Sequence, residues 1–446
     1  MNRVFYGWWV VAGGGSVQFY ASAVFWRGFA VFFDVIVDTF GWSRGAVGAA
    51  VSIQRLEGGM ISPFIGTLIN RYGTRKVMSV GVAITGLSFI LMSQVHALWQ
   101  FYLVIVLLTV GMSLGTFIVL VVTVSNWFVR RRARALGILM AASGVGGLTV
   151  PLLSGMVDAF GWREVLFAIG IGFWLVGFPA TMVMRQFPEN YGMRPDNDPP
   201  EGQKLVTSKT KSAASQKRER HQSMLRSLPK ITTRQALKMR FFWQLALVSS
   251  FGQFASASNI THIDSLTQSG ITASVAAFAV GSVAIGDLGG RLLVAAFGDR
   301  INKRMALAAA LGLEGLGILS IGLVNSEVFG ISIGSMSLPL YSIGFGLGFG
   351  SSVPIRLALL ADYFGRESYG NVLGLTSSIN AVFGAVGAAF AGFMFDLTDT
   401  YRIAFTVMAI LLLMSVPVTM MLESQERFAA RNRYARSHQK ADSATQ

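Results

Sequence analysis

Long apolar stretches separated by short polar or basic breaks run along almost the whole chain. Each reaches roughly 18 residues or more, enough for a helix to cross a hydrocarbon layer of ~30 Å. The stretches are continuously apolar rather than alternating, which excludes a membrane β-barrel. Their spacing predicts helices over about 8–36, 44–69, 77–95, 99–127, 135–159 and 164–184 in the first half of the chain. In the second half it predicts helices over about 241–264, 273–297, 305–324, 328–361, 371–395 and 402–421. The expectation is an all-α polytopic membrane protein of twelve spanning helices. A six-helix bundle over 1–184 and another over 241–421 flank a connector, 185–240, and a tail over 422–446. The Pro, Ser, Gln and Lys content of the connector suits a mostly disordered segment.

Composition supports this pattern. Of 446 residues, 52% are apolar and only 13% charged, about half the usual charged share, which excludes a soluble enzyme. The 50 glycines suit closely packed membrane helices. With no cysteine, neither disulfides nor thiolate metal sites can form, and the four histidines make no ligand pair at helical spacing, so no metal is expected. The net charge of +15 acquires meaning only from its placement. Thirty of the 37 Lys and Arg fall on the side of the N-terminus and connector, thirteen of them in the connector. The opposite loops hold only Arg44, Arg163 and Arg402. Both termini are therefore expected to be cytoplasmic, in a plasma (inner) membrane, with the basic excess facing anionic lipid rather than nucleic acid. The start mimics a secretory signal, with Arg3 and Ala21-Ser22-Ala23, but the apolar run continues to Asp34. Removing it would leave eleven helices, so cleavage is not expected.

The turn after the second predicted helix reads LINRYGTRK, Leu68 to Lys76, and the turn after the eighth reads FGDRINKR, Phe297 to Arg304. Aligned at an offset of 229, Asn70 meets Asp299, Arg71 meets Arg300 and Arg75 meets Arg304. Farther on, Asn126-Trp127-Phe128 and Gly137 echo Asp362-Tyr363-Phe364 and Gly374. Parallel repetition of two halves implies a binding site between them near the bilayer midplane. The first turn, with Gly66, Arg71, Gly73, Arg75 and Lys76, resembles the conserved loop of the major facilitator superfamily. Asn70 stands where that family has an acidic residue, whereas Asp299 retains it, so charge-relay gating is expected to be weaker in the first half.

Two stretches resemble the monocarboxylate transporters within that superfamily. The first helix begins Tyr6-Gly7-Trp8-Trp9-Val10-Val11, similar to the family's Gly/Trp-rich entrance without its acidic residue and second glycine. Arg27 precedes Val31-Phe32-Phe33 at the spacing where the family has a lysine. Asp287-Leu288-Gly289-Gly290-Arg291 matches the family's Asp and Arg four residues apart. The resemblance implies secondary active transport of small monocarboxylates, coupled to protons.

Ionisable side chains inside spanning helices are costly and mark functional candidates. Asp287 and Arg291 share one helix face, one turn apart, and read either as a switchable pair or as a permanent intrahelical ion pair. A freed Arg291 would hold a substrate carboxylate in a two-pronged contact. Arg27, too deep to snorkel comfortably, reads as a second substrate cation. Glu57 is either a second proton carrier or, with Arg55, part of an inter-helix clamp. Glu314 reads as structural, and Arg356 as a gate or snorkelling residue beside Asp362. Gln18, Tyr20, Asn259, Tyr341 and Asn380 are neutral candidates for the cavity wall, each equally open to a packing role. His262, a lone histidine, reads as structural.

A catalytic reading fails. Gly111-Met112-Ser113-Leu114-Gly115 and Gly330-Ile331-Ser332-Ile333-Gly334 match G-x-S-x-G, but both lie within predicted spanning helices rather than at a strand-to-helix turn. The glycine-rich run Gly344 to Gly350 follows no strand, and no P-loop occurs, so neither an ATP site nor any other cofactor is expected. The alternatives to proton-coupled monocarboxylate transport are an exporter or exchanger of another organic or drug-like solute, and a non-transporting sensor. The expected partners are a small-molecule substrate, a proton and the bilayer, with no partner protein inferred.

Overall fold

The computed structural model describes residues 4–198, 232–257, 261–324, 327–328, 331–332 and 334–423. In chain order the first half comprises α1 (Tyr6–Ala21), a wide π turn (Ser22–Trp26), α2 (Phe29–Phe40), α3 (Arg44–Tyr72), α4 (Thr74–Ser93), α5 (Leu98–Gly115), α6 (Phe117–Trp127), α7 (Arg132–Leu148), α8 (Val150–Phe160) and α9 (Trp162–Val183). The second half comprises α10 (Thr233–Leu237), α11 (Arg240–Ser256), α12 (His262–Gln268), α13 (Ala273–Phe297), α14 (Lys303–Gly322), β1 (Glu327–Val328), β2 (Ile331–Ser332), α15 (Gly334–Leu340), a second π turn (Tyr341–Phe345), α16 (Gly346–Thr398) and α17 (Arg402–Met420).

The apolar periodicity places these helices well but misses their interruptions. The first expected span is broken by the π turn, and those expected over 99–127 and 135–159 are broken at Thr116 and Thr149. The span expected from 328 starts at Gly334 instead, because Glu327–Val328 pairs antiparallel with Ile331–Ser332, the one pair of strands among the described residues. The spans expected over 328–361 and 371–395 run together in α16, which turns at Gly365 with φ 73°. Among the described residues, seven helices are long and apolar enough to cross a membrane, or eight counting α7 and α8 as one span bent by 40°. Large apolar side chains such as Met60, Phe64, Leu152, Leu175 and Phe278 point outward, as a lipid-facing surface requires.

The two halves meet through glycine seams. A Cβ on Gly66 of α3 would come within 2.4–2.6 Å of the Gly370 and Asn371 backbone, and one on Gly137 of α7 within 2.7 Å of Ala295 in α13. Backbones this close need small residues. Polar contacts seal the end that bears the connector. Arg132, at the start of α7, pairs with buried Asp362, which also binds Lys303 Nζ at 2.6 Å. Asp299 accepts hydrogen bonds from the Ala133 and Arg134 N–H groups at 2.8 and 3.1 Å, capping α7 across the halves. Burial pushes its carboxyl above the usual carboxylate range, with Lys303 and those two N–H groups pulling the other way. Asp196 holds the Val129, Arg130 and Arg131 N–H groups, and Arg366 joins Glu189 at 2.6 Å. In the first-half loop, by contrast, Asn70, Arg71 and Arg75 are exposed, with Arg71 resting over the Tyr72 ring, and Gly73 supplies a turn at φ 83°.

A side chain at Gly66 should hold the connector end ajar. In a Gly66→Val protein also carrying Ser125→Cys, maleimide labelling of the new thiol from the connector side should rise several-fold over the glycine parent. Unchanged labelling would show that the Gly66 seam does not limit closure.

Candidate functional site

The first helix carries Arg27 to the middle of the molecule by a local irregularity. The Arg27 N–H bonds the Ser22 carbonyl oxygen at 3.1 Å, a five-residue step that widens the turn. Gly28 follows because a Cβ there would sit 1.9 Å from the Ala23 oxygen. The Arg27 side chain then lies along α7, where a Cβ on Gly147 would meet its Cδ at 2.4 Å.

Across the interface, Asp287 sits on α13 with its side chain only 2% exposed. Glycines let α16 press on it: a Cβ on Gly350 would come within 2.1 Å of the Asp287 carbonyl oxygen. The run from Gly344 to Gly350 is thus a packing seam. The carboxylate is divided between two arginines. Its Oδ1 accepts from Arg291 Nε at 2.7 Å, and its Oδ2 accepts from Arg27 Nη2, 260 residues away, at 2.6 Å. Arg291 also donates through Nη1 to the Met140 carbonyl oxygen on α7 at 2.6 Å. Arg27 is one-third exposed, whereas Arg291 is 8% exposed, so the Arg27 edge of the triad is the accessible one. Every described hydrogen bond joining the halves lies near this level or on the connector side of it.

The intrahelical pair expected at Asp287 and Arg291 is therefore a triad, and Arg27 finds its carboxylate on the other half. The remaining candidates spread out. Gln18 is buried and its Oε1 has no partner. Tyr20 donates to the Ile169 carbonyl oxygen on α9, away from the triad. Tyr341 is buried and shares a 2.6 Å hydrogen bond with His262 Nδ1. Asn380 Nδ2 donates to Ser249 Oγ at 2.8 Å, and Asn259 lies outside the described residues. Glu57 falls on the face of α3 that bears exposed Ile53, Met60 and Phe64, opposite the Gly66 seam, with its Oε2 unpartnered. That face is apart from Asp287. Arg304 reaches the Leu422 carbonyl oxygen, and Arg300 is exposed. Asp362 binds Arg132 and Lys303 rather than standing beside Arg356 as a partner. Sequence reading missed the Met140 carbonyl and the Asp196 and Glu189 contacts, which depend on which backbone happens to pass nearby. No group of acidic or histidine side chains among the described residues could hold a metal ion.

Apolar helices in two halves, joined at one end and carrying a charged triad between them, define a membrane transporter fold. The chain belongs to the major facilitator superfamily, whose sequence profile matches residues 16–326 and again 245–442. It is similar to monocarboxylate transporter 2 of Mus musculus, 24% identical over 435 residues, covering 92% of this chain and 82% of that protein. It is also similar to monocarboxylate transporter 13 of Rattus norvegicus, 24% identical, covering 92% of this chain and 87% of that protein. An uncharacterized transporter of the superfamily from Bacillus subtilis, YcxA, is 23% identical, covering 86% of this chain and 87% of its own. Among solved structures, the human organic anion transporter MFSD10 (TETRAN) shares the fold, with a TM-score of 0.63, 15% identity and coverage of 93% and 98% of the two chains.

Position 27 tests the triad. A planar guanidinium and a compact ammonium place positive charge differently, so Arg27→Lys should keep partial transport with altered substrate preference. Arg27→Gln should lose most of it. Full uptake by the glutamine variant would show that charge at this position is irrelevant.

Proposed function

We propose that this protein is a secondary active transporter that moves small monocarboxylates together with a proton by alternating access. The observation that carries the reading is the single buried carboxylate shared by two arginines from opposite halves. Asp287 is the only carboxylate within ion-pair distance of Arg27 or Arg291 among the described residues. An incoming substrate carboxylate offers the same chemistry as Asp287 and competes with it for both guanidiniums. As the substrate takes over Arg291, Asp287 loses the charges that make its own ionised form tolerable and takes up a proton. Binding one anion is thereby linked to binding one proton. Loss of the Arg27 contact removes the ion pair between the halves at this level, leaving the Arg291–Met140 hydrogen bond to yield as they rock about the substrate. The contact of Asp287 with both guanidiniums supports it over Glu57 as the coupling carboxylate.

The sidedness follows from charge. With the basic excess on the cytoplasmic side, the sealed connector end is cytoplasmic, the bundles over 1–184 and 241–421 act as the two rocking units, and the conformation is outward-facing. Similarity to monocarboxylate transporters at 24% identity supports the substrate class.

Two variants separate anchoring from coupling. Arg291→Ala should abolish carboxylate uptake while the protein still inserts, since Asp287 can neutralise itself by protonation. Wild-type uptake would remove Arg291 from the site. Asp287→Asn mimics the protonated state and should lose accumulation driven by a pH gradient, yet retain part of substrate exchange. Paired uptake and counterflow in the same vesicles at two external pH values measures both, and normal gradient-driven accumulation would place the coupling proton elsewhere.

A further inference from the structure

Arg27 and Arg291 are engaged with Asp287, but a third intramembrane arginine is not. Among the described residues Arg356 makes one hydrogen bond, from Nη1 to the Ser249 carbonyl oxygen at 3.4 Å, and has no carboxylate within 4.0 Å. It neither snorkels to the end of its helix nor joins the Asp362 cluster. Phe349, Val353 and Arg356 recur at helical spacing and are all partly exposed. They occupy the side of α16 left free by α13, which packs at Gly346 and Gly350, and by α14, which packs at Gly348. Gly350 backs onto Asp287, so Arg356 lies about 9 Å nearer the connector end along the helix.

A polar gap adjoins the Arg356 side chain. The point a Cβ would occupy on Gly252 is 3.7 Å from Arg356 Nη1 and 3.9 Å from Glu314 Oε1, with no other atom within 4 Å. Glu314 is fully buried; its Oε2 accepts from Ser352 Oγ at 3.2 Å and its Oε1 has no partner. Ser249 and Asn380 form the adjoining polar edge. A guanidinium with most donors unfilled and a buried carboxyl oxygen aimed at the same gap form a site that a closed ion pair would have consumed.

We infer that Arg356 is a second anion subsite, which takes the far carboxylate of a straight-chain diacid whose near carboxylate is held at Arg291. This rests on the reading of Arg291 as the substrate anchor and widens the substrate class from monocarboxylates to diacids held at the same anchor. The two separate arginines select the diacid. Arg291 and Arg356 offer two separate guanidinium subsites, one for each end of a diacid. A monoacid fills only the Arg291 subsite, whereas a diacid reaches both. Glu314 balances Arg356 across the gap while the subsite is empty and repels the far carboxylate once it is filled.

Tryptophan fluorescence of the purified full chain can compare straight-chain diacids of four to eight carbons with monoacids of the same lengths. At least one diacid should bind about tenfold tighter than its monoacid counterpart. Arg356→Gln should erase that advantage and leave monoacid affinity within about twofold, while Arg356→Lys keeps part of it. Glu314→Gln should leave diacid binding unchanged or tighter. The inference fails if no diacid outperforms its monoacid in the parent protein, if Arg356→Gln weakens both classes equally, or if Glu314→Gln reproduces the Arg356→Gln loss, which is the signature of a structural clamp. Should Arg356→Gln not fold, the parent panel, Arg356→Lys and Glu314→Gln decide the matter. Monoacid binding that survives Arg291→Ala would instead sink the anchor reading, and selective loss of diacid binding at position 356 would still be visible.

Discussion

A carboxylate sealed in the middle of an apolar molecule is the constraint around which the rest is arranged. Asp287 would be intolerable as a lone ion there, and Arg27 and Arg291 would be costly without it. Removing one partner from such a buried set typically costs about 3–5 kcal/mol, mostly through the charge left behind. The irregular features nearby serve that arrangement. The wide turn aims Arg27 across the interface, Gly147 gives its stem room against α7, and Gly350 lets α16 close over Asp287. Because the two arginines come from different halves, electrostatic satisfaction and closure of the halves are one event.

The halves are built on one plan but do not share the work evenly. In the second half Asp299 caps α7, and Lys303 joins the Asp362 cluster, so this loop is consumed in sealing the connector end. Its counterpart carries Asn70 in place of the acid and leaves Arg71 and Arg75 facing outward. Asp299 works by accepting backbone N–H groups of the opposite half, and among the described residues no hydrogen bond or ion pair ties Asn70, Arg71 or Arg75 to that half, so the seal is asymmetric.

The all-helical membrane class, the apolar faces and the paired loops were legible in the sequence because they depend on periodicity and charge that a chain carries with it. So were Asp287 and Arg291, whose four-residue spacing puts them on one face without knowledge of any neighbour. The bond from Arg27 to Asp287 was not legible, since it depends on a register shift inside one helix and on how two bundles dock. The separate partners of Arg356 and Asp362 were not legible either, because the two are close in sequence while the backbone geometry turns one to Ser249 and the other to Arg132 and Lys303. Tyr20 shows the same limit, since a tyrosine facing a cavity and one facing a neighbouring helix have the same sequence pattern. The ribbon at Glu327–Ser332 escaped notice because its residues are apolar enough to pass for helix.

The turn at Gly365 joins two arms of a 53-residue helix with no intervening loop. One arm carries the Arg356 stripe and lies against Asp287; the other carries Gly370, Gly374 and Ser378, which press on α3 of the opposite half. A loop would absorb displacement as slack. Here the turn is made within a single glycine at φ 73°, where any side chain would strain the backbone. The two arms are therefore joined through one residue, so that single turn is the covalent route between the arm beside Asp287 and the seam with the opposite half.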